Sequence, residues 1–179
     1  MMRRKKNSSE QWTGPKRSAP LLRFILIAVC FAVFAALLPI FTVLTISGSD
    51  KNYCLPLSDG EAFSIKYTHS VNRSPVIDTI ERTGHTLTIR SSLYQTYGAG
   101  IPVLSDEVGD TYTETDEGFL LSGIDSEQNE INLITGTYSN HRLLYRGHEL
   151  TLKKTFGEKT LITFKIGRVS LITFLFYRL

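Results

Sequence analysis

The stretch Phe63-Ser64-Ile65-Lys66-Tyr67-Thr68-His69-Ser70-Val71 decides how the chain folds on paper. Phe63, Ile65, Tyr67, His69 and Val71 share one parity, and Ser64, Lys66, Thr68 and Ser70 the other. Successive side chains of a strand point to opposite faces, so the alternation predicts a half-buried β-strand with a mostly apolar inner face. His85, Leu87 and Ile89 repeat it against Thr86, Thr88 and Arg90, after a turn at Thr83-Gly84. A hairpin is expected at Arg146-Gly147-His148, with Leu143 to Tyr145 running in and Leu150 and Leu152 running out. Gly157-Glu158 and Gly167-Arg168 mark two more turns, between runs holding Phe156, then Ile162, Phe164 and Ile166, then the apolar stretch Val169 to Tyr177. That last stretch is too short for a helical span and is expected to be a buried or membrane-facing strand. No sustained 3.6-residue period competes, so the expected fold class is all-β, a small antiparallel sandwich or open barrel over residues 50–179.

In front of this domain, Phe24 to Ile46 runs 23 residues without a charge. As a helix it would cover about 35 Å, enough to cross a bilayer with some tilt. Pro39 falls inside it, which a membrane helix tolerates when the freed carbonyl finds a local partner. Residues 1–23 form a basic tail carrying Arg3, Arg4, Lys5, Lys6, Lys16, Arg17 and Arg23 against Glu10 alone. The positive-inside rule then expects a cytoplasmic tail, a single-pass transmembrane helix over 24–46 that makes the lipid bilayer a partner, and a domain outside the cytoplasm. A cleaved signal peptide has the same order of basic, apolar and small residues and is the rival reading.

The formal net charge of +3 resides in the tail: 7 − 1 gives +6 there and leaves −3 for the rest. A nucleic-acid-binding domain is therefore not expected. Cys30 lies in the apolar run and Cys54 beyond it, which gives neither a disulfide framework nor a metal knuckle. His69, His85, His141 and His148 are dispersed without paired spacing, and the acidic segment Ser105 to Glu117 lacks the alternating ligand order of a calcium loop. No metal or cofactor is expected.

The chemistry-bearing residues concentrate in two strings. The strand above continues through Asn72, Arg73, Ser74, Pro75 and Val76 to Asp78, placing an imidazole, hydroxyls, a guanidinium and a carboxylate on one strand and its exit. His69 and Ser70 point to opposite faces and do not form a base and nucleophile pair. His69 is instead expected to be buried on the apolar side, bonded to Asp78 or a backbone carbonyl. The second string is Tyr97-Gly98-Ala99-Gly100-Ile101-Pro102, whose glycines permit a tight reversal or a small anion-binding nest. The candidate ligand or partner residues are His69, Ser70, Pro75, Asp78, Tyr97, Gly98, Gly100, Pro102 and His141.

At these strings the chain resembles the bacterial family known as domain of unknown function 1850. The resemblance rests on the stretch from Phe63 to Val71, on Pro75-Val76 with Asp78, and on Tyr97 to Pro102, and it covers roughly residues 50–150. In the family an acidic residue often follows the histidine-serine-valine string and a glutamate often stands at the Asp78 position, so Asn72 and the shorter aspartate are departures. The resemblance implies a bacterial, membrane-anchored companion of a TAXI-type TRAP solute transporter, docking on its membrane subunit or its solute-binding protein, without catalytic activity. A small-ligand-binding or sensing domain, with a pocket around His69 and the Gly98 to Pro102 loop, is the alternative. An anchored hydrolase is weakest, because no nucleophile has an evident base.

Overall fold

The computed structural model describes residues 20–96 and 111–178, and the chain divides into two compact units at Leu37 and Leu38. The first holds helix α1 (Pro20–Leu37), of which no residue is buried. It is long and apolar enough to cross a membrane, a property that signal sequences share.

The expected helical span over 24–46 is corrected here: α1 stops at Leu37, and strand β1 (Phe41–Gly48) begins after three intervening residues. Pro39 supplies no N–H and biases Leu38 away from helical backbone. Beyond it the β-branched Thr42, Val43, Thr45 and Ile46 favour a pleated strand, and Leu44 and Ile46 become fully buried there. The β unit thus starts at Leu38, not at residue 50.

Two antiparallel sheets make up that unit, as the alternating patterns predicted. Strands β1, β2 (Lys51–Leu55), β8 (Glu130–Ile134) and β11 (Leu161–Val169) form a four-stranded sheet in the order β2-β1-β11-β8. The larger sheet holds β3 (Ala62–Thr68), β4 (Pro75–Thr83), β5 (Thr86–Tyr94), β6 (Thr111–Thr115), β7 (Gly118–Gln128), β9 (Arg142–Tyr145) and β10 (His148–Thr151), in the order β10-β9-β3-β4-β5-β7-β6. Phe63 of β3 stacks on Phe164 of β11 with ring centroids 5.9 Å apart, and Leu44, Ile46, Ile65, Ile80, Leu87, Leu143 and Ile162 complete a shared core. Face-to-face burial of two apolar faces is what makes this a sandwich.

Turn chemistry accounts for the tight reversals. Arg146 and Gly147 both have positive φ, 47° and 77°, the pair a two-residue hairpin between β9 and β10 requires. Gly157, at φ 102°, ends the short helix α2 (Leu152–Phe156) where a turn was expected. Thr135, 1% exposed, ties this corner: its hydroxyl donates to Gly157 O at 2.7 Å and accepts from Thr160 N–H at 2.9 Å.

Two expectations at the C-terminal end are corrected. Gly167-Arg168 is no turn but lies within β11, opposite Val43 and Thr42 of β1. The expected strand over 169–177 is mostly helix α3 (Leu171–Tyr177), because Ser170 caps it by accepting from Thr173 N–H at 3.1 Å.

Candidate functional site

Strands β3, β4 and β5 lie side by side, and their register gathers a polar cluster on the core-facing side of the larger sheet. Asp78 of β4 stands opposite Ile65 of β3 and Ser92 of β5, between the buried Val76 and Ile80 on the same face. Ser92, itself buried, donates its hydroxyl to Asp78 Oδ1 at 2.6 Å. The Tyr67 hydroxyl also hydrogen-bonds to Asp78. Burial pushes the Asp78 carboxyl above the usual aspartate range, while the bonds from Ser92 and Tyr67 pull the other way. The Tyr67 phenol is pushed up by burial and by the neighbouring Asp78, and that of Tyr94, which shares Ser92 as a partner, is raised by burial.

His141 closes one side. Its ring lies 5.4 Å from that of Tyr67, its Nδ1 is 3.1 Å from Ser139 Oγ, and burial pushes the imidazole toward its neutral form. Ser139 Oγ also accepts from Gly136 N–H at 3.2 Å, and Ser139 O accepts from Thr68 N–H at 2.8 Å. The pair is therefore fastened at the end of β3. No carboxylate is bonded to His141 among the described residues, so Ser139 and His141 lack the third group that orients a catalytic base. The cluster presents one hindered carboxyl ringed by hydroxyls, which suits hydrogen bonding to a polar group more than acyl transfer.

His69 stands outside this cluster, a correction to its expected burial on the apolar face. Strand β3 ends at Thr68, and His69 to Ser74 form a turn in which His69 N–H donates to Ser74 O at 2.9 Å and Arg73 N–H to His69 O at 3.1 Å. With the strand ended, parity no longer directs the ring. It is half-exposed, and its Nδ1 accepts a long 3.3 Å bond from Val71 N–H, not one from Asp78. Ser70 is exposed in the same turn, and Pro75 opens β4 opposite Thr68. Two buried polar atoms of the turn, Asn72 Nδ2 and Ser74 Oγ, have no hydrogen-bond partner among the described residues. Such groups are costly unless something satisfies them. Tyr97, Gly98, Gly100 and Pro102 lie outside the described residues.

Of the expected candidates, the structure brings together Asp78 and His141 through Tyr67. Ser92, Tyr94 and Ser139 join them unforeseen. A separate groove of about 540 Å³ lies between the β9–β10 hairpin and the end of β2, lined by Leu55, Tyr145, Arg146, His148 and Arg178 among others. Arg146 grips Glu61 through two bonds of 2.6 and 3.0 Å, which hold the Glu61 carboxyl down at about 2. Burial and that carboxylate push the Tyr145 phenol up to about 12. Among the described residues no group of histidine, cysteine and carboxylate side chains is placed to hold a metal ion.

No curated protein and no solved structure matches the chain. A family model described as "Domain of unknown function (DUF1850)" matches residues 63–152, from the first residue of the quoted strand through Asp78, Ser92 and His141, and the chain belongs to that family.

Proposed function

We propose that the protein is a membrane-anchored, extracytoplasmic accessory domain of a TAXI-type TRAP solute transporter, docking on the membrane subunit or its solute-binding protein without catalysing a reaction. The observation that carries the anchored reading is α1, an apolar helix with no buried residue, joined through three residues to the first strand of a β-sandwich. The choice of partner and the non-catalytic role both follow from the family resemblance. Co-expression of the full chain with a TAXI-type membrane subunit, followed by affinity purification in mild detergent, tests the docking. Co-elution is expected, and elution of the chain alone from membranes that contain both would refute it. Orientation is tested with Tyr138→Cys, at a position 89% exposed: an impermeant maleimide should label it in intact cells.

A second reading, a small-ligand-binding domain, is favoured by the buried Asn72 Nδ2 and Ser74 Oγ, unpartnered among the described residues, together with the hindered Asp78. A hydrogen-bonding solute that raised the melting temperature of the wild type but not of Asp78→Asn would support it. No rise with any of a panel of small polar solutes would count against it.

A further inference from the structure

The C-terminal helix presents its apolar side outward. Around α3, Leu171, Ile172, Leu175 and Phe176 fall on one continuous arc and are all exposed, Leu175 at 66% and Phe176 at 82%. The opposite arc is turned toward the smaller sheet: Phe174 stacks on Phe41 of β1 with centroids 6.2 Å apart, and Arg178 bridges to Cys54 of β2. Exposed Leu38, Ile40 and Phe41 belong to the same unit, and Phe41 meets α3 through Phe174. Arg168 and Arg178 flank it, both exposed and neither ion-paired among the described residues.

We propose that this surface is seated in a lipid bilayer's interface, with Leu171, Ile172, Leu175 and Phe176 in the acyl boundary and the two arginines at headgroup level. The proposal rests on the anchored reading of α1. Two features single out lipid as the occupant. After Arg23 the helix holds 14 uncharged residues, Phe24 to Leu37, which rise only about 21 Å against a hydrocarbon core of roughly 30 Å. Although α1 as a whole is long enough to span, its uncharged part is shorter than the hydrocarbon core, which draws the apolar Leu38 to Phe41 to the membrane boundary. Phe41, in turn, is stacked on Phe174 of α3 and lies only four residues from Leu37, so no more than about 14 Å of extended chain separates that contact from the helix end. The exposed apolar residues beside two arginines with no ion pair among the described residues, Arg178 with its guanidinium over the Phe174 ring, match an anionic interface, where each nearby cation is attracted to the headgroups.

The test uses the full chain with Trp12 replaced (Trp12→Phe) and single tryptophans introduced elsewhere, in nanodiscs of phosphatidylcholine and phosphatidylglycerol with or without 5-doxyl phosphatidylcholine. Phe176→Trp reads the proposed contact, with Leu175→Trp as a second reporter on the same arc. Leu161→Trp, at the other end of β11 from Val169, reads a point about 26 Å away along the strand. Phe31→Trp reads the anchor. The expected result is a roughly twofold or greater loss of emission at residues 175 and 176, which an apolar face buried 5–10 Å into the headgroup and acyl boundary would show, and none at 161. Quenching at 31 without quenching at 175 and 176 would overturn the proposal and leave the anchor standing. A blue-shifted but unquenched signal there would mean a protein neighbour and would overturn it too. No quenching at 31 would overturn both readings.

Discussion

Removing the Ser92 hydroxyl should cost more when Asp78 is ionised than when it is protonated. Ser92 is 6% exposed and donates to Asp78 Oδ1 at 2.6 Å, so Ser92→Ala deletes a short bond to a hindered carboxylate and leaves water little room to replace it. Bonds to charged groups contribute about 1.5–3 kcal/mol and neutral ones about 0.5–1.5. For a domain of this size each kcal/mol moves the melting temperature by about 4 °C, so Ser92→Ala should melt about 6–12 °C lower where Asp78 is ionised, and about 2–6 °C lower where it is protonated. The sign follows from the raised Asp78 pKa: the folded state takes up its proton at higher pH than the unfolded chain, so stability is greatest below the ordinary aspartate range and falls as pH rises through the folded value. Asp78→Asn should flatten that slope at little or no cost of its own at neutral pH. The assay is a double-mutant cycle of the two substitutions in the full chain, melted in detergent micelles at pH 4 and pH 7 and followed by the circular dichroism of the sheets. An equal loss from Ser92→Ala in the wild-type and Asp78→Asn backgrounds at pH 7 would refute the argument that these two groups form the energetic centre of the cluster.

Gly118 has φ 133° and a Cβ there would lie 2.3 Å from Tyr94 O, so Gly118→Ala should cost about 1–3 kcal/mol from backbone conformation alone and lower the melting temperature accordingly. Glu61, held at about 2 chiefly by its bond to Arg146, contributes stability that is present above its unfolded pKa of about 4.5 and lost as pH falls through 2; Glu61→Gln should remove that acid-side decline between pH 5 and 2 in melting curves. His69→Ala should change stability by less than about 1 kcal/mol, because the half-exposed ring holds only a 3.3 Å bond; a loss above 2 kcal/mol by denaturant titration would restore the buried reading.

The all-β class was legible because period-2 alternation is local: Phe63, Ile65 and Tyr67 do share the inner face, and the hairpin at Arg146-Gly147 forms where expected. The end of the helix was not legible, since an uninterrupted apolar run satisfies both a membrane helix and a buried strand. Pro39 and the β-branched residues after it were local signals that a membrane helix tolerates, and the pairing of β1 with β11, from Phe41 opposite Val169 to Gly48 opposite Ile162, decides between helix and strand. That pairing joins residues more than a hundred apart in sequence and leaves no local trace. The same holds for α3, whose apolar residues suit a strand by composition but are claimed by the cap at Ser170.

The candidate site was half legible for a different reason. Asp78 and His141 are polar residues that a reader of the sequence can single out, whereas Ser92 is one serine among several. Counting by twos from Leu87 and Ile89 would turn Ser91 and Leu93 inward and leave Ser92 facing out. The structure reverses this, because the register between β4 and β5 shifts at Thr79 and Ile80: Ile80 pairs with Ile89, but Thr79 with Ser91. Arg90 is the extra residue, and a bulge of one residue turns every later side chain of the strand to the other face. Leu87 before it and Ser92 and Tyr94 after it thereby look toward the same side, with Asp78 opposite Ser92. Two carboxylates hold the bulged residue from neighbouring strands, Glu81 of β4 at 2.9 Å and Asp125 of β7 at 2.5 Å. The polar cluster therefore depends on a single unpaired residue whose own side chain points elsewhere, and an alternation pattern read through Arg90 without the bulge cannot find it.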